Sequence, residues 1–220
     1  MTLADTLTAH AARFKTGILE VGRRRRSWDA FQDLAREVFS KAVSGGARAG
    51  LFDVLYVDPD TAPAERYLAT LQHISLVWGR HHIGLTESSG QTGKLVIEGG
   101  CALHAGQDYL GGVALILYPF TSTLHPSGPD YILLGFWRDP LSVSQSRLET
   151  CVRQFLSFAQ VTSAFGSPST GDRLTVFWLR RRSAFLELGI SGRVKIVADA
   201  VSQTVGAVKA VGKAMALGVG

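Results

Sequence analysis

The chain has 220 residues, 46% hydrophobic and 19% charged, with a formal net charge of +5. This is the composition of a folded protein long enough to bury a real core, and two cysteines make no disulfide framework. No run of about 18 uncharged apolar residues occurs, so no conventional spanning helix is encoded. "MTLADTLTAHAARFKTG" has no continuous apolar stretch before Lys15, so no signal peptide is predicted.

In chain order, Leu3, Leu7, Ala11, Phe14 and Ile18 recur at spacings of four and three, which predicts one face of a helix. Gly22 is expected to end it. "GRRRRS" follows. Ser27 is a plausible N-cap for a second amphipathic helix, with Phe31, Leu34, Val38 and Phe39 inward and "SGGARAG" as its stop. Arg23, Arg24, Arg25 and Arg26 form a candidate anion-contact cluster. They equally suit a solvated connector that complements the negative end of the first helix dipole.

A short strand is expected within Leu51–Val57, then a turn at Asp58-Pro59 and a short helix near Thr61 and Pro63. From His73 the pattern turns to β. "HISLVWG", "HIGLTES", "KLVIEGG", "CALHAGQ", "GVALILYPF" and "DYILLGFWR" are short β-prone runs, most of them separated by glycine-rich turns. Connections this short exclude parallel crossovers and predict a single antiparallel meander from His73 to Arg138. "VALILYP" and "YILLGFW" are its most apolar runs and are assigned its centre. A helix from Ser144 to Phe165, with Leu148, Val152, Phe155, Leu156 and Ala159 on one side, is expected to cover the sheet. "GSPSTGD" breaks it. "RLTVFWL" reads as a further strand or a segment leaving the body, and "RRRSAFLELGISG" as a basic patch with a hydrophobic turn or short helix. The fold class is α+β: an antiparallel meander covered by helices, with an N-terminal helix pair and a C-terminal amphipathic helix. The division is a helical segment 1–46, a body 47–190 and a basic tail 191–220.

No motif announces catalysis. There is no HExxH, CxxC, GxSxG or phosphate-binding P-loop, and no pair of histidines at helical spacing. No cofactor and no metal is expected. "SSGQTGK" reads as a hairpin turn, and Glu87 and Glu98 are candidates to face each other across it. Trp78, Arg80, His81 and His82 form a candidate ligand-binding group, because aromatic and cationic side chains suit an anionic planar ligand such as a nucleotide. Cys101 and Cys151 read as reduced thiols of a cytosolic protein, one in a sheet and one in a helix.

Charge carries the strongest functional signal. Residues 1–170 hold 15 basic and 15 acidic side chains. Residues 171–220 hold eight and three, so the whole excess lies in the last quarter. Arg180, Arg181 and Arg182 open that quarter as a second candidate anion-contact cluster. In the tail, taken as a helix from Val194 to Val219, Lys195, Asp199, Ser202, Gly206, Lys209 and Lys213 share a sector about 80° wide. Val201, Val205, Val208 and Met215 lie among the apolar residues around it. Lys195, Lys209 and Lys213 together with those four residues are the candidate membrane contacts. The tail resembles membrane-active amphipathic peptides in composition and cationic stripe.

The leading expectation is a non-enzymatic effector or scaffold protein, cytoplasmic and peripherally or conditionally membrane-associated. Its cationic C-terminal helix would engage an anionic membrane surface, with self-assembly as a homo-oligomer. Two alternatives remain open: a binding module for an anionic ligand or nucleic acid that uses the arginine clusters, and an enzyme with an unrecognised site.

Overall fold

The computed structural model describes residues 2–50, 55–58, 72–79, 81–89, 92–121 and 131–186. Helix α1 (Leu3–Arg26) starts at a capping box in which the Thr2 hydroxyl accepts from the Asp5 N–H and the Asp5 carboxylate accepts from the Thr2 N–H. It does not stop at Gly22. A mid-helix glycine costs only about 1 kcal/mol relative to alanine, and the helix runs through it to Arg26. Ser27 does not cap helix α2 (Trp28–Arg48) either. Its backbone is helical, and its hydroxyl donates back to the Arg23 carbonyl, so α1 leads into α2 with one residue between them.

Five strands form one antiparallel sheet in the order β1 (Leu55–Asp58), β2 (His73–Trp78), β5 (Cys101–Gln107), β6 (Val113–Tyr118) and β7 (Ile132–Trp137). Among the described residues, the two strands between, β3 (His81–Ser89) and β4 (Thr92–Glu98), pair only with each other. The single meander is thereby corrected: β2 bonds to β5, and β3–β4 is an inserted hairpin whose last described pair is Ser89 with Thr92. Its register sets Glu98 opposite His81 and Glu87 opposite Lys94, so Glu87 and Glu98 do not face each other.

Alternation places Ile74, Leu76, Leu103, Leu115 and Leu117 on one face of the sheet. Against them lie Trp28, Phe31 and Phe39 of α2, and Phe155 and Phe158 of α3 (Gln145–Thr162), all at most 1% exposed. At about 25 cal/mol per Å² of apolar surface, this layer is the main source of stability. A Ser144 N-cap starts α3, its hydroxyl accepting from the Arg147 N–H. Helix α2 touches β1, β2 and α3, so it belongs to the same core as the sheet.

The other face carries His73, Ser75, His104, Ile116 and Tyr118. A smaller cluster of Ala114, Ile116, Tyr118 and Leu133 centres there, with Leu186 packed against it. A further correction concerns β7. It is an edge strand, not a central one. It reads as apolar because helix α4 (residues 170–186) covers it: Val176 and Leu179 enter the main core, Leu186 the smaller one, and the Leu133 N–H donates to the Ser183 hydroxyl at 2.8 Å. Residues 173–179, read as a further strand or a segment leaving the body, are helical. A reciprocal cap between Ser169 and Asp172 starts this helix, the hydroxyl accepting from the Asp172 N–H and the carboxylate from the Ser169 N–H.

A candidate membrane-facing helix

Helix α4 has two apolar faces. Val176, Leu179 and Ser183 are buried against the body. Close to the opposite side lie Leu174 (55% exposed), Phe177 (54%), Trp178 (61%) and Phe185 (66%). At 3.6 residues per turn these four fall within an arc about 100° wide, with Arg181 in its middle. Arg180 and Arg182 flank the arc on either side, and both are exposed. The Phe177 and Trp178 rings meet edge to face at 5.5 Å. Removing such side chains from water is favourable, yet the fold leaves them in it. A tryptophan, two phenylalanines and a leucine thus stand exposed among three guanidinium groups.

Helix α1 is the second exposed apolar surface. None of its residues is buried, and Leu3, Leu7, Phe14 and Ile18 are all more than half exposed.

The first arginine cluster is largely engaged by the body. Arg23 bridges Glu20 and Asp139, at 3.1 and 2.7 Å. That contact holds the Asp139 carboxyl below its usual pKa, chiefly through the hydrogen bond from Arg23. Arg24 donates to the Glu20 carbonyl within its own helix. Arg25 donates through Nε and Nη2 to the Tyr109 carbonyl, while the Gln107 amide donates to the Arg25 carbonyl. Gly111, at φ 80°, brings the 108–112 turn so close that a Cβ would meet Arg24 and Arg25 at 2.8 Å. Arg26 is exposed. Arg23 and Arg25 thus lock the α1–α2 joint to the sheet.

Of the candidate ligand group, Trp78 and His81 come together near the C-terminal end of α3, Trp78 at the end of β2 and His81 at the start of β3. Arg80 lies outside the described residues, and the His82 side chain is likewise not described. Sequence reasoning missed Glu98 as the centre of this region. It is fully buried. Its Oε1 accepts from the Ala164 N–H at 2.6 Å, and its Oε2 accepts from the Ser163 hydroxyl at 2.8 Å. His81 Nε2 sits 2.6 Å from the same Oε2, a close contact without the alignment of a good hydrogen bond.

Both thiols are buried and free. Burial raises the Cys101 pKa far above that of a reactive thiol and pushes Cys151 up to about 11. Among the described residues, no three His, Cys, Asp or Glu side chains converge as a metal site, and no helix is long and apolar enough to cross a membrane. Lys195, Val201, Val205, Val208, Lys209, Lys213 and Met215 lie outside the described residues, as do the short helix expected near Thr61 and Pro63 and residues 122–130. Comparison with family models, curated proteins and solved structures finds no match.

Proposed function

We propose that the chain is a non-enzymatic peripheral membrane protein that docks on anionic bilayers through α4 and the basic tail that follows it. One observation carries this reading: the outward face of α4, where Leu174, Phe177, Trp178 and Phe185 stand more than half exposed among Arg180, Arg181 and Arg182. A spanning mode is not required. An amphipathic helix seats its apolar side about 5–10 Å into the headgroup boundary while its cations stay at the phosphates. The tail adds four basic residues, Arg193, Lys195, Lys209 and Lys213, directly downstream. Each basic residue near an anionic surface contributes about 1 kcal/mol.

Co-sedimentation with vesicles tests it. The full chain should pellet with phosphatidylserine-containing vesicles, and less with neutral phosphatidylcholine. Phe177→Ser with Trp178→Ser should release it, and high salt should weaken it. Equal binding to neutral vesicles, or binding to heparin or RNA that survives the double substitution, would refute the reading and favour a polyanion-binding module on the same arginines.

Self-association has its own support in the exposed stripe of α1. Its Leu3, Leu7, Phe14 and Ile18 repeat at the spacing that packs one helix on a second copy. Sedimentation velocity should show a dimer that Leu7→Glu with Phe14→Glu dissolves. A monomer at all concentrations removes this element alone.

A further inference from the structure

Beside the Glu98–His81 contact lies a cavity of about 240 Å³. Its described walls include the rings of Trp78, His81, Phe120 and Phe165. His81 meets Phe120 at 5.5 Å and Phe165 at 5.3 Å, and Trp78 meets Phe120 edge-on at 6.2 Å. Gln160 and Gly166 complete the rim. We propose that this cavity is a binding site for a small, neutral, planar heteroaromatic ring bearing an acceptor nitrogen.

Size, shape and charge each point there. Pockets for drug-sized ligands run from about 300 to 1,000 Å³, so this one suits one or two fused rings. Four aromatic side chains offer faces and edges for stacking. Phe165 is 61% exposed, held over the opening rather than folded into the core.

The polar groups are arranged around that space. The Gln160 carbonyl oxygen accepts from the Ser167 N–H, which leaves its NH₂ to donate to a ligand. Glu98 is occupied by Ser163, Ala164 and His81, and no Lys or Arg stands among the described lining residues. Among these described residues a phosphate or carboxylate would meet no lysine or arginine, which favours a neutral ring.

The site is also preformed. Glu98 ties β4 to the 163–164 turn. A Cβ on Gly166 would lie 1.8 Å from the Gln160 backbone oxygen, so only glycine lets the chain double back to form the rim. This proposal is independent of the membrane reading, since it needs neither lipid nor the basic residues.

Saturation-transfer NMR on the full chain, with quinoline, indole and benzoate as probes at millimolar concentration, tests it. Quinoline should bind best, indole (a donor in place of an acceptor) less well, and benzoate least. Phe165→Ala, at a solvent-exposed position, should weaken quinoline at least fivefold with the circular dichroism unchanged. Gln160→Leu should bring quinoline down to the level of indole. Absence of transfer from quinoline, benzoate binding as well as quinoline, or quinoline affinity unaltered by both substitutions would overturn the proposal.

Discussion

Helices α2 and α4 each carry a row of large apolar side chains, and the fold treats them in opposite ways. In α2, Trp28, Phe31 and Phe39 vanish into the sheet. In α4, a comparable aromatic row points outward, while a second, smaller-residue row of Val176 and Leu179 makes the contact with the body. One apolar face is enough to dock a helix. The outer face of α4 therefore contributes nothing visible to folding, and its exposure is an argument for a partner. The same logic separates α3, whose buried face serves the core, from α1, which buries nothing.

The widest expected difference is between two phenylalanines. Phe39→Ala should destabilise the protein by about 3–5 kcal/mol in urea unfolding, because it opens a cavity at a site with no solvent access. Phe177→Ala should change stability by less than about 0.5 kcal/mol. Similar losses at both positions would show that α4 is core on both sides.

Glu98→Ala should cost about 3–5 kcal/mol, since it strands the Ala164 N–H, the Ser163 hydroxyl and the His81 imidazole together. Glu98→Gln keeps a carbonyl acceptor and should cost less. Equal losses in the two variants would mean that the carboxylate is not the hub that joins the hairpin to α3.

Acid should weaken the sheet's second face before its first. His104 is fully buried. Its Nδ1 lies 2.8 Å from the Ser75 hydroxyl, and the His73 ring is centred 5.0 Å away. Burial, with His73 adding to it, holds its pKa well below that of an ordinary histidine. Its unfolded form then takes up a proton first. The contribution is complete above about pH 6.5 and is lost as pH falls below that value, by up to about 1.4 kcal/mol per pH unit. Thermal unfolding between pH 7.5 and 5 should show this slope, and His104→Gln should flatten it. A slope unchanged in the variant would move the effect to another group.

Ser169→Ala should cost about 1 kcal/mol, by removing the hydroxyl that accepts from the Asp172 N–H at the start of α4. The helical circular dichroism signal should fall slightly while the core stays folded.

These contrasts also mark what could be read from the chain alone. The α1 stripe, the inward residues of α2, the antiparallel pairing, the β3–β4 hairpin and the Ser144 start of α3 all rest on local spacing or turn chemistry, and they were legible. The inserted hairpin was not, because nothing local tells β2 whether its partner is the next strand or the third one along. β7 was misplaced because an edge strand under a helix is as apolar as a central one. At α4, the β-branched and aromatic run "TVFW" suggested a strand, but the Ser169–Asp172 capping pair, visible in "STGD", was the better guide. Trp78 and His81 were grouped from the sequence, and the fold brings them to one cavity. Glu98, Gln160 and Phe165 were not, since only tertiary packing brings the end of α3 to β4.

The most direct measurement of the central claim is quenching of Trp178 fluorescence by lipids brominated on the acyl chain near the headgroup, taken as the difference between the native chain and Trp178→Phe. Trp28 is fully buried, and the difference isolates Trp178 from all three other tryptophans. The account predicts strong quenching and a blue-shifted emission on phosphatidylserine-containing vesicles, both lost in high salt. Binding to those vesicles with Trp178 emission unshifted and unquenched would contradict it, and would place the membrane contact elsewhere than on α4.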